Sequence, residues 1–208
     1  MRKLTLLVFC LLFLVGCVPP APLTPTTTAS THTALSALEL QGCKTAFAFS
    51  RDPFNWYAQA LLPTYDNPKN LDLALFFWNG IGAQVLTDEE ENFIRQSQID
   101  PAYDIIRIDV TEAAAVLESC FGITWDETNG VGLDRLLYNE QVNCYYVAAN
   151  GPNVLEAFAV RSGTRNNDGS VSLTYTHAGS DVPYVVTFFE HPSSEGVRCQ
   201  IVSNVPCN

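Results

Sequence analysis

The feature that most constrains this chain is a change of hydrophobic period near Tyr138. Upstream of it, apolar residues recur at helical spacing and break at glycines and prolines. Downstream, Val, Tyr, Phe and Thr become frequent, and apolar and polar residues alternate between turn signals. Alternation means one wet face and one buried face, so a sheet in this half needs a cover. The helices of the first half supply it. Helices followed by strands predict an α+β fold with segregated layers, N-terminal helices packed on one face of a C-terminal antiparallel β-meander of about five strands. A chain of 208 residues, 47% apolar and 16% charged, is long and apolar enough to bury the core this requires.

The five strands are read at 142–149, 154–161, 171–177, 184–190 and 197–203. Asn166-Asn-Asp-Gly169 is a hairpin signal, and Val171, Leu173 and Tyr175 share one face of the strand after it. The short links between strands imply antiparallel neighbours. In the first half, Pro53 before Phe54–Leu62 reads as a helix start that Pro63 limits. Leu71–Trp78 leans toward helix. Thr87-Asp-Glu-Glu90 is a capping box and opens a helix through Arg95, and its acidic run suits the helix dipole and a solvated helix start. Ile105–Ile108 is strand-like, and the helix after it ends at Phe121-Gly122, where glycine permits a left-handed exit. Thr124-Trp-Asp-Glu127 offers a second capping box. Trp56, Trp78 and Trp125 all fall in the helical half and read as core.

The N-terminus has a different character. Met1-Arg2-Lys3 is basic, and Leu4–Val15 is apolar apart from Thr5. Such a run spans about 18 Å as a helix, too short for a bilayer core of about 30 Å. It reads as the hydrophobic region of an export signal. It ends Leu14-Val15-Gly16-Cys17, which resembles the lipobox of bacterial lipoproteins. The resemblance implies diacylation of the Cys17 thiol and cleavage before it, so that residues 1–16 are a signal peptide. Residues 17–39 then form a lipidated, Pro- and Thr-rich tether: four prolines fall between 18 and 33, and no Asp, Glu, Lys or Arg falls between Cys17 and Glu39. Proline favours extended polyproline II here. The globular domain is placed at 40–208. Two acyl chains give stable anchoring where one is marginal.

The body also resembles a type of bacterial lipoprotein domain. The likeness lies in Phe121-Gly122-Ile123, the strand start Cys144-Tyr-Tyr146, the hairpin into Val171-Ser-Leu-Thr-Tyr175, and the closing Ser203-Asn-Val-Pro206. It implies a fold relationship and brings no active site with it.

Charge and cysteines bound the function. Eleven Lys+Arg against 22 Asp+Glu give a formal charge of −11, and a surface this acidic repels phosphate backbones, so nucleic acid is not an expected partner. Of seven cysteines, Cys10 leaves with the signal and Cys17 carries lipid, which leaves Cys43, Cys120, Cys144, Cys199 and Cys207. The strand pattern turns Cys144 and Cys199 inward, which allows a disulfide between them in an oxidising compartment. The same pattern also allows two buried free thiols, and free cysteine is among the most buried residue types. No Cys-x-x-Cys pair, phosphate-binding glycine loop or Gly-x-Ser-x-Gly elbow occurs, and neither metal nor cofactor is expected. His177 and His191 are the body's only histidines, and none of the local motifs of thiol peptidases surrounds Cys144. No catalytic residue is assigned.

These readings predict a lipid-anchored envelope protein on the extracytoplasmic face of the cell membrane, serving as a non-catalytic binding or interaction module. The membrane is engaged through the anchor, and an envelope protein or glycan is the expected partner class. The alternative is a carboxylate-based enzyme acting on cell-wall or sugar polymer, which needs two acids across a cleft.

Overall fold

Every described α-helix in the first half begins at a polar side chain that caps it. In the computed structural model, which describes residues 32–50, 54–78, 86–97, 104–149, 158–193 and 196–207, α1 (Ala37–Ala46) starts at Ser36. The Ser36 hydroxyl accepts from the Glu39 amide at 3.3 Å, and the Glu39 carboxylate accepts from the Ser36 amide at 2.8 Å. Gly42 lies inside this helix, where glycine costs about 1 kcal/mol relative to alanine, and a Cβ there would meet nothing within 4 Å. Helix α2 is a single turn, Trp56–Gln59, capped by Asn55. The expected helix to Leu62 is cut short because the amides of Leu61 and Leu62 bond three residues back, to Ala58 and Gln59, which tightens the chain ahead of Pro63. Asp72 caps α3 (Leu73–Phe77), and Thr87 caps α4 (Asp88–Gln96) through the capping box read from the sequence. Strand β2 (Asp104–Asp109) runs straight into α5 (Val110–Phe121), which ends at Gly122 with φ +66°. None of the described helices is long and apolar enough to cross a membrane.

The remaining strands are β3 (Leu137–Asn139), β4 (Cys144–Ala149), β5 (Phe158–Arg165), β6 (Val171–His177), β7 (Pro183–Ser193) and β8 (Gly196–Pro206), with a two-residue β1 (Thr33–Ala34) near the start. The fold is α+β: helices first, then an open five-stranded antiparallel sheet, ordered β1-β5-β6-β7-β8. Its membership differs from the expected meander in one strand. The segment read at 142–149 becomes β4 and joins a separate three-stranded sheet, β2-β4-β3. The fifth place in the large sheet goes to β1, which pairs Thr33 with Arg165 and Ala34 with Thr164. Residues 33–39, read from the sequence as the end of the tether, therefore contain a strand and the first turn of α1.

The core lies between the helices and the inner face of the large sheet. Val171, Leu173 and Tyr175 of β6, Val186 and Phe188 of β7, and Ile201 of β8 meet Leu117 and Phe121 of α5 and Phe76 and Phe77 of α3. Trp56, Trp78 and Trp125 are half-buried against this cluster, as expected of core-packing rings. One polar residue at its centre holds the α2–α3 connection to the sheet. Asn204, fully buried on β8, donates to the carbonyls of Leu61 (3.1 Å) and Pro63 (2.8 Å) and accepts from the Tyr175 hydroxyl at 2.8 Å. Its backbone pairs with Tyr65.

Candidate functional site

Cys17, the signal segment and the Pro/Thr-rich stretch up to residue 31 lie outside the described residues. Cys144 and Cys199 are both buried, but the structure does not bring them together. Cys144 belongs to the small sheet and packs with Ile94 and Tyr146, whereas Cys199 sits on β8 in the main core with Cys43 and Cys120. The separation follows from β4 leaving the large sheet. All five described cysteines are free thiols, and only Cys207 is exposed. Burial pushes Cys120 and Cys199 up to about 12 and Cys144 up to about 11. Thiols held in this range are protonated and poor nucleophiles.

The surroundings of the two histidines are equally specific. The Cys144 thiol donates to the Val142 carbonyl at 3.2 Å and lies 3.8 Å from the Asp109 carboxylate. His177 packs among the rings of Phe158, Tyr175 and Tyr184. His191 meets the Gln200 side-chain oxygen at 3.1 Å. Among the described residues, no group of three His, Cys, Asp or Glu side chains is placed to hold a metal ion.

The acidic start of α4 corrects one expectation. Asp88, Glu89 and Glu91 are exposed as predicted, but Glu90 is only 3% exposed. It accepts from the Tyr146 hydroxyl at 2.6 Å and from Arg107 Nε at 2.8 Å, in addition to the Thr87 amide at 2.9 Å. Burial alone would raise its carboxyl. The Thr87 amide, the Tyr146 hydroxyl and the Arg107 guanidinium outweigh that and hold it at about 2. Arg107 also reaches Asp109 at 3.7 Å. This cluster joins α4 to both β2 and β4, and every carboxylate oxygen of Glu90 has a donor. It reads as a structural tie of the small sheet.

Two concave features among the described residues lie around α1. A cavity of about 200 Å³ separates α1 from the large sheet. Cys43 and Ala46 of α1 and Phe47 just after it line the cavity together with Phe188 and Cys199 of the sheet, and the Phe47 and Phe188 rings meet at 5.2 Å. Its mouth lies beside Gly42 and two carboxylates, Glu39 and Glu190. One nitrogen of Arg165 bridges those acids, at 3.3 Å from Glu39 and 3.0 Å from Glu190. The Ser36 hydroxyl and amide, and then Arg165, hold Glu39 below the usual carboxylate range. A second, shallower groove of about 520 Å³ runs where Lys44, Phe47 and Phe49 face Phe158 and Val160 on β5.

Neither acid at the cavity mouth, nor the cavity itself, was legible in the sequence. Its residues span positions 39 to 199. Comparison with protein-family models, with curated proteins and with solved structures finds no match for this chain.

Proposed function

We propose that this chain is a lipid-anchored envelope protein, held on the extracytoplasmic face of the membrane through Cys17, whose folded body works as a non-catalytic binding module. The observation that carries the reading is the short apolar run that ends Leu14-Val15-Gly16-Cys17 behind a basic start. The uncharged Pro/Thr-rich segment after it suits a spacer between membrane and body. The body adds support of a different kind. It keeps an open apolar cavity with charged groups at its rim, the usual build of a small-molecule receptor site, while its buried thiols are held protonated. The partner class consistent with this placement is an envelope protein, a glycan or a small solute of the envelope space.

One observation favours the second reading, carboxylate chemistry: Glu39 and Glu190 both line the cavity. A general acid needs a raised carboxyl, yet Glu39 is lowered and both acids share one guanidinium. The geometry therefore suits charge recognition better than proton transfer. Substituting Cys17→Ser and fractionating cells tests the anchor. The variant is expected in the soluble fraction, and unchanged membrane retention would refute acyl anchoring at this residue.

A further inference from the structure

The cavity under α1 is built in a way that selects a ligand. Its lining is apolar: Cys43 from the helix and Phe47 just after it, Phe188 and Cys199 from the sheet. Its rim carries two carboxylates against one guanidinium, a local excess of one negative charge. We propose that this cavity binds a small organic monocation, an aryl- or alkylammonium whose apolar part enters the cavity beside the Phe47–Phe188 ring pair and whose charged end docks at Glu39 and Glu190. This deepens the binding-module reading and rests on it only in treating the body as a receptor. The lipid anchor plays no part in the argument.

Three observations converge on that ligand class. The first is size. An apolar cavity of about 150 Å³ is known to take up benzene, so about 200 Å³ accommodates one ring with a short arm or a branched alkyl group. The second is charge. An anion would meet two carboxylates at the entrance, and a neutral apolar molecule would leave the rim charge unanswered. A monocation answers it, and aromatic walls add the attraction of ring faces for a cation. The third is Gly42. Helix α1 breaks its own local preference at this position although no neighbouring atom requires it, since a Cβ would meet nothing within 4 Å. Local rules broken without a packing reason are expected at functional sites. Here the missing side chain leaves the mouth open beside Glu39.

The test uses the mature full-length protein in nanodiscs of zwitterionic lipid, with empty nanodiscs as the blank. Benzylammonium, benzoate and benzyl alcohol are titrated by calorimetry. The expected result is saturable one-site binding of benzylammonium, with benzoate and benzyl alcohol at least tenfold weaker. The double substitution Glu39→Gln, Glu190→Gln should abolish the preference for the cation; glutamine keeps the capping geometry of α1. Gly42→Leu favours the helix and fills the mouth, and should weaken benzylammonium at least tenfold while the thermal melt stays intact. In parallel, benzylammonium should slow alkylation of Cys43 by N-ethylmaleimide and leave exposed Cys207 unaffected. Absence of benzylammonium heat above the blank, equal binding of benzoate, or unchanged affinity in Gly42→Leu would each overturn the proposal. Such a failure leaves membrane anchoring through Cys17 untouched, because the fractionation experiment reads that separately.

Discussion

Replacing Glu90 by glutamine should remove a pH-dependent share of the stability, and the structure gives its size and sign. The carboxyl is held at about 2 against an ordinary value of 4.5. At about 1.4 kcal/mol per pKa unit, this shift is worth about 3 kcal/mol to the folded state. Because the folded-state value is the depressed one, that stability is fully present above pH 4.5 and is lost as pH falls toward 2. Glutamine cannot carry the charge. It also takes from Arg107, whose side chain is 18% exposed, its 2.8 Å ion pair, while Asp109 stays at 3.7 Å. Breaking a buried pair on one side costs about 3–5 kcal/mol, which agrees with the titration figure. Urea unfolding from pH 7 to pH 2 would measure it in both proteins. Glu90→Gln should be about 3 kcal/mol less stable at pH 7, and the gap should close steadily below pH 4.5. Subtracting the two curves cancels the carboxylates they share, among them Glu39, Glu127 and Asp168, which are also lowered. A gap independent of pH would refute the argument, since it would mean that the charge on Glu90 adds nothing.

Three further outcomes follow from single contacts. Asn204→Leu removes the side-chain donor to the Leu61 and Pro63 carbonyls in the core, and should cost about 1–3 kcal/mol, read as a lower urea midpoint. Gly122→Ala forces a side chain onto a left-handed residue and against the Gln200 side chain; a loss of about 1–2 kcal/mol is expected in thermal unfolding. Non-reducing peptide mapping after denaturation should find Cys144 and Cys199 both alkylatable, and a linked Cys144–Cys199 peptide would contradict the placement of β4 in the small sheet.

The parts of the fold that were legible in the sequence are those specified by local chemistry. Thr87 and Glu90 are three residues apart, and their mutual bonds depend on nothing beyond one helical turn. Gly122 is readable because the left-handed backbone at its own position, the exit of α5, favours glycine. The inward face of β6 follows from its period of two, and Val171, Leu173 and Tyr175 are all fully buried. Alternation reports which face of a strand is dry but not which strand lies beside it. That is why β4 could be placed on a strand and still assigned to the wrong sheet, and why Cys144 and Cys199 could both face inward without meeting. A two-residue strand such as Thr33–Ala34 has no period to detect, and its neighbouring prolines and threonines point to a tether.

The candidate site was less legible for a related reason. Glu90 has one sequence-local role, the cap, and a second that depends on Arg107 and on Tyr146, fifty-six residues away. No helical pattern announces the second. The cavity mouth joins Glu39 on α1 to Glu190 on β7 through Arg165 on β5, three elements that become neighbours only once the sheet has formed.

The account's central claim, a folded body carried outside the cytoplasm on an acylated cysteine, is tested most directly by mass spectrometry of the N-terminal peptide from the native protein. The predicted result is a chain that begins at Cys17 and carries the mass of a diacylglyceryl group. A peptide that begins at Met1, or a mature end lacking glyceride mass, would contradict it.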